Sequence, residues 1–234
     1  MFSSKNSLKI AKIIRTSRKT VALQIKPDGC LIVRAPFFVS KTRLNRVIFE
    51  KRFWILKKKE LIERKNKAIV KKEFIPGEEF LYLGQKYKLY LSEIKKPNLI
   101  LNNGFFLSKY YLGSREGLFT SWYRENAYEK LKQRVNFYVS AGEASYNKIN
   151  ITSAQYRWGS CSSRGNLNFS WRLIMAPLEI IDYVVVHEIA HLRERNHSKS
   201  FWNIVKIMYP NYQKSRKWLK DNGHLLVMQP QKPA

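Results

Sequence analysis

Carboxylates are scarce in this chain. Its 234 residues hold 17 Asp and Glu against 44 Lys and Arg, a formal charge of +27. A surface of that sign repels basic partners and attracts polyanions such as DNA, RNA or phosphorylated small molecules. A soluble, self-repelling surface is the alternative, and charge alone does not choose between the two. Cysteine is nearly absent too. Cys30 and Cys161 form no CxxC pair, which excludes a disulfide scaffold and points to a reducing, cytoplasmic setting. No apolar run approaches the roughly 18 to 20 residues that span a bilayer; the stretch around 180–186 is short and broken by Asp182. No membrane role is expected. Glycine-rich phosphate loops, internal repeats and low-complexity tracts are also missing. Hydrophobic residues make up 44% and aromatics 14%, so the chain folds around a core.

The charge is uneven. Residues 1–75 hold 21 basic and 5 acidic side chains, residues 76–118 hold 6 and 4, and residues 119–234 hold 17 and 8. The first 27 residues are rich in Lys, Arg and Ser, superficially like a mitochondrial presequence, but TVALQI alternates as a strand does. TVALQI and CLIVRAP flank Pro27-Asp28-Gly29, which reads as strand, turn, strand. Ser40 is placed to cap one long helix over 41–67, with Leu44, Val47, Ile48, Phe53, Trp54, Leu61 and Ile62 on its apolar face. Two hairpins follow, one about Gly84-Gln85 and one with Asn103-Gly104 as a type I′ turn. A helix is expected over 120–140. NITSAQYRW and GNLNFSW then read as two strands joined by a GSCSSR loop. The expected architecture is α+β, with a basic, β-rich amino-terminal half (1–118) and a second half (119–234) built on one helix beside an antiparallel sheet.

That helix starts at Pro177 and carries the densest chemistry. Of the four histidines, three fall at His187, His191 and His197, with Glu188 beside the first. At about 100° per residue, His187 and His191 lie only about 40° apart around the helix axis. His197 would lie about 240° from His191 on a continuing helix. It joins the other two only if the helix stops after Leu192. Asn196 is suited to that stop, and Ser198 to capping the next helix. Three imidazoles with one open position describe a catalytic zinc site, one ion per chain. Water is the preferred fourth ligand, ahead of Cys161, His224 or a carboxylate. Glu188 is placed to take a proton from that water and pass it to a leaving nitrogen.

Two blocks, RWGSCSSRGNLNFSWRLIMAP and YVVVHEIAHLRERNHSKSFW, resemble the YgjP-like metallopeptidases, relatives of the SprT-like and WLM zinc proteases among the zincins. The likeness extends to the TVALQI and VRAP segments, YLGQKYKL, WYRENA and KWLKDNGHLL, and so to nearly the whole chain. It implies a zinc-dependent peptidase with His187, His191 and His197 as ligands and Glu188 as the base. Glu194 stands where metzincins have glycine, which separates the chain from that branch. The resemblance also implies that an edge strand before the active helix, here about 165–171, pairs with extended substrate. Gly165, Asn166, Leu167 and Asn168 are then substrate-binding candidates. Arg157 is a candidate for a substrate anion, against an ordinary solvated arginine. Tyr209 and Tyr212 are candidates for an oxyanion donor, against simple packing near Trp202 or Trp218.

Three functions compete. The first is a zinc metallopeptidase acting on peptide or protein, working near nucleic acid through its basic amino-terminal half. The second is a metal-dependent nucleotide phosphoanhydride hydrolase. The third is a nucleic-acid-binding protein with a vestigial zinc site. Nothing in the residues signals an oligomeric state.

Overall fold

The computed structural model describes residues 10–67, 69, 71–142, 144–155 and 157–228. They form two compact units, one from Met1–Lys71 with Met228–Ala234, the other Lys72–Val227. The chain is α+β throughout. The start of the basic stretch, residues 1–9, lies outside the described residues.

The first unit contains β1 (Ile10–Thr16), β2 (Ala22–Ile25), β3 (Leu31–Pro36), α1 (Lys41–Glu50) and α2 (Arg52–Lys67). The expected strand–turn–strand is present as β2 and β3. Asp28 accepts the Cys30 N–H at 2.8 Å, and Gly29 supplies the left-handed turn at φ +81°. The unanticipated β1 pairs parallel with β3, on its other edge. Ser40 caps α1 by accepting from the Arg43 N–H at 3.2 Å. The long helix, however, is two helices, broken at Lys51 (φ −95°, ψ 8°). Leu44, Ile48 and Ile55 pack on Leu31, Val33 and Ala35. With Ile55 fixing the inward face of α2, Phe53 and Trp54 fall about 200° and 100° away from it. They are 70% and 48% exposed, and Leu61 faces solvent as well. Sequence spacing had put all three in the core.

The second unit begins with β4 (Glu79–Tyr82), β5 (Gln85–Ser92), β6 (Leu99–Leu101) and β7 (Phe105–Ser108), in spatial order β4-β5-β7-β6. Both hairpins form, but the second differs in its turn. Asn103 and Gly104 have no positive φ, and a three-residue loop joins Leu101 to Phe105. Gly104 is needed for a different reason. A Cβ there would stand 2.6 Å from the Tyr90 ring and 3.0 Å from the Lys88 carbonyl oxygen. Phe80 and Phe105 pack on Phe119 of α3 (Arg115–Gly142), with centroids 4.4 and 5.1 Å away. The Tyr123 hydroxyl donates to the Leu81 carbonyl at 2.6 Å. These contacts tie the β4–β7 sheet to α3 within the unit that begins at Lys72; the division at 118/119 was drawn from the order of strands and helices in the sequence.

The remaining elements are β8 (Ile149–Thr152), β9 (Gly159–Cys161), β10 (Leu167–Ser170), α4 (Leu178–Arg193), α5 (Lys199–Met208) and α6 (Tyr212–Asn222). The sheet order is β8-β10-β9. It is mixed and not antiparallel, because β10 runs parallel to β8 and antiparallel to β9. The expected GSCSSR loop opens with a strand, β9. The helix α4 is buried on nearly every side from Ile180 to Val186. Asp182 is 7% exposed within it and holds Arg134 of α3 at 2.5 and 2.9 Å. Asp182→Ala would remove the carboxylate partner of Arg134 and leave its guanidinium partly solvated beside Phe137 and Tyr138. We expect a loss of about 1 to 3 kcal/mol of stability. Urea unfolding checks this as a lower midpoint at unchanged slope.

Candidate metal centre

Two tethers fix α4 at its start. Leu83 and Gly84 turn between β4 and β5 with left-handed φ of 48° and 80°, and their N–H groups donate to Ile174 and Met175. A Cβ on Gly84 would meet Pro177 at 2.8 Å, so this turn rests directly on the residue that caps α4. From there the apolar run carries His187, Glu188 and His191 inward.

The helix stops where required, by another residue than expected. Glu194 leaves helical space (φ −130°, ψ 111°) while its N–H still bonds to Ala190. Asn196 has no left-handed φ; its N–H donates to the Glu194 side chain at 3.3 Å. Extended backbone at 194 turns the chain back without needing a left-handed residue. Ser198 caps α5 as expected, accepting from the Phe201 N–H at 3.2 Å. His197 is thereby folded onto the α4 histidines.

The three imidazoles each offer a nitrogen within 4.8 Å of the others. His187 Nε2 and His197 Nε2 are 3.1 Å apart. Two nitrogens bound about 2.0–2.1 Å from one tetrahedral ion lie roughly 3.3 Å apart, so the rings fit a shared cation. The His191 Nδ1 donates to the Glu194 carbonyl at 3.0 Å, which leaves its Nε2 lone pair free as a ligand. Burial and the two neighbouring histidines push His187 down to about 3, so it stays neutral. His197 is lowered too, by burial first and then by the charges of His191 and Arg216. Trp202 stacks on His197 with centroids 5.8 Å apart, and Phe201 packs against all three rings. Donor set and spacing both suit zinc. Cys161 and His224 do not join the group among the described residues.

Glu188 is 5% exposed, one residue from the first histidine. Burial raises its carboxyl to about 8, against the opposing pull of Arg157 and of a hydrogen bond from the Cys161 N–H. A cation alongside would draw that value back down. The carboxylate lies against β9. A Cβ on Gly159 would sit 2.6 Å from both Glu188 Cγ and Oε1. Gly159→Ala should therefore displace the carboxylate and lower peptidase kcat by about 100-fold with metal content unchanged. Metal analysis alongside initial rates distinguishes this from loss of the site.

A cleft of about 290 Å³ holds the three histidines, Glu188, residues 159–162 and Arg195. Only part of this was visible beforehand. Residues 159–162 had read as a loop, and Arg195 was not singled out. It reaches the Ser163 carbonyl at 3.0 Å. Conversely, β10 offers no free backbone, because β8 and β9 occupy both its edges. Asn168 spends its side chain on Ser160 and Asn150, and Asn166 on Asn147. Leu167 is buried, and Gly165 turns between β9 and β10 at φ +72°. The edge strands of this sheet are β8 and β9, and of the two only β9 lines the cleft. Arg157 is exposed and outside the cleft lining, though its charge reaches Glu188. The Tyr209 hydroxyl donates to the Glu179 carbonyl at 3.0 Å, and Tyr212 stacks on Trp202. Neither lines the cleft. Their aromatic bodies pack the α5–α6 junction.

The model of the family described as YgjP-like, metallopeptidase domain, matches residues 19–222. Among proteins of curated function no match is found. The crystal structure of the metallopeptidase zymogen of Pyrococcus abyssi abylysin is similar to 42% of this chain and 99% of its own, at 19% identity and a TM-score of 0.37. A likeness at that score carries no argument. No helix among the described residues is long and apolar enough to cross a membrane. With the match spanning most of its length, the chain belongs to the YgjP-like metallopeptidase family.

Proposed function

We propose that this chain is a zinc-dependent peptidase of zincin type, in which Glu188 is the general base. The observation that carries the reading is the convergence of three imidazoles beside a buried carboxylate, in one cleft, next to an edge strand. His187, His191 and His197 would hold the ion. Zinc supplies an acidified water and polarises the scissile carbonyl. Glu188 accepts a proton from the attacking water and delivers it to the departing amine. The N–H of Cys161 and the charge of Arg157 steady its anionic form. Gly159 leaves the space the carboxylate occupies. The free edge of β9 pairs with extended peptide, which holds a substrate by its main chain with little demand on side chains.

The basic amino-terminal portion tethers the enzyme to nucleic acid; residues 1–75 carry 21 of the 44 cationic side chains and only 5 of the 17 acids. A panel of unfolded proteins and nucleoside triphosphates tests the chemistry. Chelation should abolish casein cleavage, and added zinc should restore it. Release of pyrophosphate or phosphate without any proteolysis would overturn the peptidase reading in favour of phosphoanhydride hydrolysis.

A further inference from the structure

The face of α2 turned away from its core is neither polar nor simply basic. Counting about 100° per residue from Arg52, the outward sector runs Phe53, Arg64, Lys57, Leu61, Trp54, from about 100° to about 200°. Ile55, at about 300°, points into the core and is fully buried. Phe49, at the end of α1, is 63% exposed and Phe53 is 70% exposed. The Arg52 guanidinium lies over both rings, 4.1 and 4.4 Å from their centroids. Trp54, Leu61, Glu60 and the stems of Lys57, Lys58 and Arg64 border a second hollow of about 560 Å³, in which Glu60 holds Arg64 at 2.9 Å. Such large aromatic area is normally covered, and among the described residues it stands exposed.

We propose that this face binds single-stranded nucleic acid, with bases stacked on Phe49, Phe53 and Trp54 and phosphates met by Lys57 and Lys58. The inference rests on the tethering to nucleic acid argued above and names the strand type and the surface. Charge complementarity selects the occupant. A second copy of this face would bring like charges together, whereas a polyanion neutralises them. An anionic membrane is served less well. Surface-seeking helices segregate cations from the apolar side, but Arg64 and Lys57 project between Phe53 and Leu61, so insertion would bury them. Bases need alternation of this kind. Flat rings stack on aromatic faces, the intervening phosphates lie against cations, and stacked guanidinium adds to both. The α2 axis is about 24 Å long, room for roughly four nucleotides.

The test uses the full-length, zinc-loaded protein and fluorescence anisotropy with a labelled oligothymidylate of about twelve nucleotides. Wild type should bind it more tightly than a duplex of equal length or vesicles of phosphatidylserine and phosphatidylcholine. Trp54→Ala and Phe53→Ala should each weaken binding about tenfold with the salt dependence unchanged, since stacking releases no counterions. Lys57→Gln should instead flatten the slope of log K against log salt by about 0.7. These residues are exposed, so folding and casein cleavage should stay at wild-type levels. Tighter binding to duplex or vesicles, or unchanged affinity in both aromatic variants, overturns the assignment of this face. Failure to bind any polynucleotide at low salt overturns the tethering itself, and leaves the peptidase reading to stand on its own assay.

Discussion

Replacing Glu188 by Gln should lower peptide hydrolysis by about 100- to 10,000-fold and leave the metal bound. The substitution is nearly isosteric. The amide oxygen can still accept the Cys161 N–H, and the side chain still fills the space left by Gly159. What disappears is a group able to take a proton from water and return it to the leaving amine. The adjacent His187 is no substitute, since its surroundings hold it neutral and the proposed site uses it as a ligand. Zinc content and melting temperature should match wild type, and kcat should fall with little change in KM. Activity within tenfold of wild type would place the base on another residue. Glu188→Asp gives a graded control, because it keeps the charge but withdraws it by one methylene.

The second large effect concerns the ligand that local helix geometry could not place. His197→Ala should weaken zinc binding by more than about 100-fold, since even losing a partner that merely orients a ligand costs about 10- to 100-fold. Two imidazoles remain, and they cannot hold the ion against a moderate chelator. His197 is exposed, stacks on Trp202 and makes no core contact beyond Phe201, so the apo fold should tolerate the change. Melting curves with and without zinc make the test specific. Wild type should gain stability as free zinc rises, because the ion binds the native state. The variant should gain little over the same range, while its zinc-free melting point stays near that of wild type. Equal zinc stabilisation in both proteins would remove His197 from the ligand set.

Much of the metal centre was legible because it is nearly local. His187, Glu188 and His191 occupy one helix, whose period fixes their relative directions. The need for a stop before His197 followed from the same period. The stop itself was assigned to Asn196 and lies at Glu194, since an extended residue ends a helix as well as a left-handed one. Turn chemistry located all the expected hairpins, and the Asn103-Gly104 turn failed only in type. Its glycine answers to a close approach by Tyr90, a contact across strands that no local pattern announces.

What surrounds the histidines was harder to see. The three residues of β9 contain glycine, serine and cysteine and carry no alternation, yet they form the wall against which Glu188 lies. Their strand character comes from pairing with β10, which in turn lies between β8 and β9. Which strands keep a free edge is decided by that order in space, and so the proposed substrate pairing is placed at 159–161 and not at 165–171. Likewise, the apolar spacing in α2 predicted an inward Phe53, Trp54 and Leu61, whereas packing of Ile55 turned them outward.

Residue order alone determined the spacing of the three clustered histidines, the position of Glu188 beside the first of them, the turns and the charge imbalance. These depend on neighbours within a few residues or on simple counts. Folding in three dimensions decided which strand edge is open, how deeply Glu188 is buried, and which helix face meets solvent. Those properties arise from contacts between segments far apart in the chain, where hydrogen-bond pairing and burial, and not helical or strand period, set the outcome.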